Sequence, residues 1–280
     1  HLSIRRQRQM CIRDRYVFVL LLLSIISQST PALDVVRGGR PVATVVVEEG
    51  ASGQVKGAAQ LLVDYVERAT GAKLPVANEL PEDETVICIG HSQLWEVPGQ
   101  SGLDDDGFDI AFPNEWTVVI VGPTEWGTEF GVCEFLERYV GVRWLLPGEH
   151  GDDVPAAQNI SVPTEPVRDE PVVFSRQFSG LKGGQQETWA RRNRMRGRVA
   201  FHHNLLHLFP PETYTKTHPE FFPVQNGERF LPPDNNAHHW QPCFTAPGIV
   251  DEAVKNICAF FEAHPEATSY SLGANDSSGY

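Results

Sequence analysis

From residue 41 to residue 165 the spacing of apolar residues switches between two periods. That switching restricts this half of the chain to helices layered on a sheet. PVATVVVEE, beginning at Pro41, is a β-branched run and predicts a strand. SGQVKGAAQLLVDYVERATG follows, with Val55, Ala58, Ala59, Leu62, Val63 and Val66 at the spacing of one helix face. Gly71 supplies the stop, because glycine takes the left-handed backbone conformation of a helix terminus without strain. ETVICIG predicts a short buried strand, and FDIAFPNEWTVVIVG two strands joined by a turn at Pro113-Asn114. TEWGTEFGVCEFLERYVG predicts a second helix, capped by Thr124 and stopped by Gly141, and VRWLLPG a closing strand. The order β-α-β-β-β-α-β describes an α+β domain with helices on one sheet face.

VPAAQNISVPTEPVRDEP, residues 154 to 171, is rich in proline and polar residues and predicts a linker or domain boundary. Beyond it, strands are predicted at 172–178, 199–204, 240–244 and 268–274. ETWARRNRMRG predicts a helix, with Arg191, Arg192, Arg194 and Arg196 on a solvated face. PPETYTKTHPE predicts a short helix or turn, and FFPVQNGERFLPP a small hairpin around Asn226-Gly227. APGIVDEAVKNICAFFEAHP predicts an amphipathic helix with Ile249, Val250, Ala253, Ile257, Phe260 and Phe261 in one stripe. Strands alternating with helices imply a parallel sheet.

The first 15 residues, HLSIRRQRQMCIRDR, have no periodic pattern and resemble translated adapter sequence. YVFVLLLLSIISQSTPA, residues 16–32, reads as a secretory signal peptide cleaved near Ala32, so the expected location is secreted or periplasmic. Its apolar run is shorter than the roughly 20 residues of a membrane span, and no stable membrane insertion is expected after cleavage. Without residues 1–32, 18 of 23 basic and 35 of 36 acidic residues remain, a net charge of −17. That balance supplies no basic surface for nucleic acid. Cys88, Cys133, Cys243 and Cys258 lie far apart with no CxxC pair; export permits disulfides among them in any of three pairings, and their apolar contexts favour buried free thiols.

GTEFGVCEFLERYVGVRWLLPGE resembles the end of the small N-terminal domain that precedes the catalytic barrel in α-glucuronidases and β-hexosaminidases. The resemblance rests on Gly127, Gly131, Phe135, Leu136, Glu137, Gly141, Val142, Arg143 and Trp144. The chain after its leader also resembles a bacterial family of unknown function with an α-glucuronidase-like N-terminal domain. WARRNRM, HHNLLHLFPPETYTKTHPEFFP, WQPCFTAPGIV and SYSLGANDSSGY carry that likeness. It implies an α+β domain over residues 36–165, followed over 171–280 by the first half of a (β/α)8 glycosidase-like barrel. The other strands of the barrel would lie beyond Tyr280. It also implies a secreted glycoside hydrolase-like protein acting on polysaccharide, of the uronic-acid or hexosamine kind. The rival expectation is a non-catalytic carbohydrate-binding or surface protein on the same fold.

Seven of the ten histidines lie between residues 201 and 264. His203 and His207 have the i, i+4 spacing of a helical zinc pair, but HHNLLH lacks the general base of HExxH. No metal and no cofactor is expected. A barrel carries its site at the C-terminal ends of its strands. That rule selects Arg176, His202, His203, Trp240 and Asn275 as candidate carbohydrate contacts. Asp276, at the expected end of the fourth strand, is the candidate catalytic acid. The acidic loop LDDDGFD, residues 103–109, has fewer ligands than a calcium loop needs and reads as solvated.

Overall fold

The computed structural model describes residues 31–91, 102–178, 180 and 183–276. The adapter-like segment and most of the signal peptide lie outside these residues. The chain divides into two compact units: one ends at Pro171 and takes in Gly183–Arg194, and the other comprises Val172–Lys182 and Met195–Tyr280. The described secondary structure mixes α and β.

Unit 1 begins with β1 (Ala32–Arg37), β2 (Arg40–Pro41) and β3 (Ala43–Val46), then α1 (Gly53–Thr70). β4 (Val76–Ala77), β5 (Thr85–Ile89), β6 (Phe108–Asn114) and β7 (Thr117–Val121) follow, then α2 (Glu125–Phe135). The unit continues with β8 (Arg143–Trp144), β9 (Asp152–Asp153), β10 (Ile160–Pro163), β11 (Val167–Asp169) and α3 (Gly184–Arg192). A six-stranded sheet has the order β11-β6-β7-β5-β3-β4, and β10-β1-β2 form a second, antiparallel sheet. β3, β4, β5 and β7 pair in parallel, whereas β6 runs against β7 and β11 against β6.

Gly71, Thr124 and Gly141 cap the helices where the sequence places them, and Ser52 adds a further cap. Ser52 Oγ accepts from Val55 N at the start of α1, and Gly71 ends it with φ 74°. Thr124 Oγ1 accepts from Trp126 N and Gly127 N at the start of α2. α2 widens into a π turn over Leu136–Val140, and Gly141 stops it with φ 86°. Gly127 and Gly131 face the sheet. A Cβ on Gly127 would overlap the carbonyl oxygen of Gly107, and one on Gly131 would lie 2.8 Å from Ile120 Cγ2. The G-x-x-x-G spacing is therefore what lets α2 approach the backbone beneath it.

Several sequence expectations for unit 1 change. The hairpin turns at Glu115-Trp116 rather than Pro113-Asn114, because β6 extends through Asn114, whose Oδ1 accepts from Trp116 N at 2.8 Å. The proline-rich stretch 154–171 is not a bare linker. It adds β10 beside β1 and β11 beside β6, giving edge partners to two strands that would otherwise expose unpaired backbone. The arginines of α3 and the turn after it do not sit on a solvated face. Arg191 pairs with Glu129, Arg192 with Asp152 at 3.5 Å, and Arg194 with Glu137 and Glu134. Trp189 Nε1 donates to Trp144 O at 2.9 Å.

Within the loop 103–109, Asp106 is buried and its N–H donates to Asp104 Oδ1 at 3.0 Å, so the loop is folded rather than fully solvated. Among the described residues no group of three His, Cys, Asp or Glu side chains is placed to hold a metal ion. No helix among them is long and apolar enough to cross a membrane. Cys88 and Cys133 are buried free thiols, and burial pushes both up to about 12. Cys243 is half-buried and Cys258 is exposed, contrary to the expectation that all four would be buried.

Unit 2 holds α4 (Leu205–Leu208), α5 (Pro211–Thr217), the hairpin β12 (Val224–Gln225) and β13 (Glu228–Arg229), and α6 (Ile249–Ala263). Asn226 and Gly227 both have positive φ, 54° and 86°, as the tight turn between twisted strands requires. Leu206, Phe209, Phe221, Phe222, Trp240 and Ile249 belong to its core.

The four strands expected here do not form as regular strands. Residues 172–178 and 240–244 have no ladder, and 199–204 meets 268–274 at one parallel bridge, His203 to Gly273. Serine hydroxyls take the place of ladder carbonyls. Ser269 Oγ accepts from Ala200 N at 2.7 Å, and Ser271 Oγ accepts from His202 N at 3.1 Å. Because Gly273 lies directly against His203, 240–244 does not intervene between these two segments.

Candidate functional site

The histidine-bearing end of unit 2 is built on the pairing of 200–204 with 269–275. Ser271 holds it together: its hydroxyl donates to His202 O at 2.6 Å and accepts from Gly273 N at 3.2 Å. Gly273 is required because a Cβ there would overlap His202 O. Asn204 N donates to Gly273 O at 3.0 Å, and Asn204 Nδ2 donates to Ser271 O at 3.0 Å. The two chain segments are thus fixed by buried polar side chains, each of which must be bonded to be tolerated there.

This network sets the tautomers of both histidines. Asn204 donates through its nitrogen, so its Oδ1 is the atom that faces His202 Nε2 at 3.2 Å. His202 therefore donates from Nε2, which leaves Nδ1 as an acceptor in the neutral ring. His203 donates from Nδ1 to Ala274 O, which leaves Nε2 as its acceptor. Both rings are exposed. The edge therefore offers two oriented imidazole nitrogens, and Asp276, two residues beyond the Ala274 carbonyl that His203 bonds, is exposed.

Asn275 has a different place. It is buried, its Oδ1 accepts from Leu206 N at 2.8 Å, and its Nδ2 donates to Trp240 O at 2.9 Å. Gln241 completes the clasp, donating to Asn275 O at 2.6 Å and accepting from Asn275 N at 3.1 Å. The carboxamide expected to contact sugar is committed to backbone groups. Trp240 is fully buried, packs on Phe222 at 4.9 Å, and donates from Nε1 to Ala237 O at 2.8 Å. It is a core residue, with no ring face presented to a sugar.

Arg176 is half-buried. Its N–H donates to Arg196 O at 2.8 Å, and its guanidinium donates to Val173 O at 3.0 Å. His218 stacks on Phe221 at 4.8 Å and His264 on Phe260 at 4.5 Å. Ser271 and Gln241 were not legible as site residues. Their only signal is polar side chains inside otherwise apolar strand-like segments.

Residues 146–280 match a family described as Domain of unknown function (DUF4838). No curated protein matches the chain. Among solved structures it is similar to a family GH115 4-O-methyl-α-glucuronidase with specificity for decorated arabinogalactans. That likeness has 14% identity and a TM-score of 0.41, over 59% of this chain and 25% of the other. It is also similar to the GH20 β-N-acetylhexosaminidase from Streptomyces coelicolor A3(2). There the identity is 19% and the TM-score 0.36, over 53% of this chain and 25% of that one. A third, CpGH84D, has 13% identity and a TM-score of 0.38, over 87% of this chain and 42% of that protein. The chain therefore spans a quarter of the first two proteins and under half of the third. No residue role is carried over from likeness at this level.

Proposed function

We propose that unit 2 is part of a (β/α)8 barrel whose strand ends carry a glycan site, in a secreted protein of the glycoside hydrolase type. The observation that carries this reading is the edge where His202 and His203 stand exposed on a locked polar scaffold, with the exposed Asp276 following in the same segment. Oriented hydrogen-bond acceptors and a carboxylate at strand ends suit a polyhydroxylated ligand. The barrel is supported by the parallel pairing of His203 with Gly273 across a connection that contains α6. It is supported too by Phe201 and Leu272, apolar residues on these two segments that are 89% and 60% exposed and so available to further elements. In this reading Asp276 serves as the acid that protonates the leaving oxygen. His202, His203 and Arg176 contact the glycan.

A second reading has its own observation. The segments 172–178, 199–204 and 268–276 carry one carboxylate between them, Asp276. Glycoside hydrolysis ordinarily needs two flanking the scissile bond. A site with one would bind glycan without cutting it.

Product release from uronic-acid and hexosamine glycans, read together with calorimetric binding, separates these readings. Cleavage abolished by Asp276→Asn supports the hydrolase. Binding without cleavage selects the second reading, and a folded protein that neither binds nor cleaves excludes both.

A further inference from the structure

Unit 1 contains a groove that the site in unit 2 does not use. It has a volume of about 810 Å³ and runs along the ends of β1, β5 and β6. Trp116, in the turn after β6, forms part of its wall, and the same residue lines a second groove of about 370 Å³. Asp83, Glu84 and Asn114 are also common to both. The indole thus stands between two adjoining depressions.

Trp116 is 62% exposed, although its backbone is held at both ends. Its N–H donates to Asn114 Oδ1 at 2.8 Å, and its carbonyl accepts from Val86 N at 2.8 Å. A large ring presented to water from a fixed backbone is pre-organised for stacking. Phe112 adds a second, half-buried ring to the larger groove.

The polar lining divides into spent and available groups. Asp34 is paired with Arg37, and Glu84 accepts from Thr44 Oγ1 at 2.8 Å. Asp83 and Glu115 make no side-chain hydrogen bond among the described residues. Carboxylates beside an indole face match the two surfaces of a pyranose, hydroxyls at its edge and C–H groups on its face. Four carboxylates against the single cation Arg37 disfavour an anionic ligand.

We propose that this groove is a binding site for a neutral oligosaccharide that passes Trp116, separate from the strand-end site of unit 2. The site holds glycan by stacking and hydroxyl bonding and performs no chemistry.

Calorimetry on the full chain tests it, with cellohexaose and xylohexaose as neutral probes, hexagalacturonate as the anionic probe and octalysine as the cationic one. At least one neutral probe is expected to bind about ten-fold more tightly than hexagalacturonate. Trp116→Ala is expected to weaken that binding about ten-fold or more, with an unchanged circular dichroism spectrum and thermal midpoint. The loss on Trp116→Ala is expected to recur in the Asp276→Asn background, so failure here is distinguishable from failure of the strand-end reading. Binding indifferent to Trp116→Ala overturns the proposal. So does tighter binding of octalysine than of either neutral probe, or no binding of either neutral probe to the folded chain.

Discussion

Arg191 donates from Nη2 to Glu129 Oε2 at 2.5 Å, across 62 residues of sequence. Glu129 also accepts from Gln54 Nε2 at 2.6 Å, so one carboxylate ties α3 to α1 and α2. The Arg191 guanidinium lies over the Trp126 ring at 5.0 Å. α3 is short and mostly polar, and it has no side-chain cap at Gly183. Its helical state therefore depends on these partners more than on its own propensity.

Glu129→Ala should destabilise unit 1 by about 1–2 kcal/mol, because it leaves a guanidinium and a carboxamide without their acceptor. Arg191 is partly exposed, which screens the pair and keeps the figure below that of a fully buried one. Arg191→Ala should lose about 1 kcal/mol, and a double-mutant cycle in urea should show a coupling of about 0.5–1 kcal/mol. Strict additivity would mean that the contact contributes nothing.

Gly127 and Gly131 are equivalent in sequence pattern but not in surroundings. Gly127→Ala drives a methyl into the Gly107 carbonyl, which cannot move without shifting β6. Gly131→Ala meets side-chain atoms instead, Ile120 Cγ2 at 2.8 Å and Phe108 Cβ at 3.1 Å, a milder overlap than that with the Gly107 carbonyl. The expected losses are about 3 kcal/mol or more for Gly127→Ala and about 1–2 kcal/mol for Gly131→Ala. Thermal unfolding of the two variants checks the order; equal losses would contradict the close approach at Gly107.

The helices, caps and central strands of unit 1 were legible because each rests on a local signal. Gly71, Thr124 and Gly141 act within a few residues of themselves. β10 and β11 were hidden because ISVP and VRD are short, proline-flanked and stabilised only by strands far away in the chain. The same holds for Arg191, Arg192 and Arg194: nothing near them in sequence announces the acidic groups they meet. In unit 2, the hairpin at Asn226-Gly227 and helix α6 were legible, but the strands were not. There Ser269 and Ser271 replace ladder carbonyls, a substitution that apolar periodicity does not register. The choice for Trp240 between core and sugar platform was equally invisible, since burial depends on Phe222 and Ala237 closing around it.

Tyr65 gives unit 1 a pH dependence. It is buried and donates to the carboxylate of Asp152, which also pairs with Arg68 at 2.9 Å. Burial first, and then this hydrogen bond, raise its hydroxyl above the ordinary value of 10.0. The folded state therefore holds the proton more tightly than the unfolded state. The associated stability is complete below pH 10.0 and falls as pH rises from there through the raised value. Tyr65→Phe should cost about 1–2 kcal/mol at neutral pH. The difference between wild type and variant should shrink above about pH 10, as followed by urea midpoints. A gap that stays constant into alkaline solution would show that the lost hydroxyl, not its proton, accounts for the effect.

Asn275 and Asp276 are neighbours with opposite expected behaviour. The Asn275 carboxamide satisfies Leu206 N and Trp240 O inside the core of unit 2. Asn275→Ala leaves a buried donor and a buried acceptor unpaired and opens a cavity beside them, a loss of about 2–4 kcal/mol. Asn275→Asp would be no better, because a carboxylate cannot donate to Trp240 O and its charge would be buried. Asp276 is exposed, and Asp276→Asn should change stability by no more than about 0.5 kcal/mol. Urea unfolding of the three variants therefore comes before any activity measurement. If Asp276→Asn proved as destabilising as Asn275→Ala, its carboxylate would be a structural group, and lost cleavage in that variant would say nothing about acid catalysis.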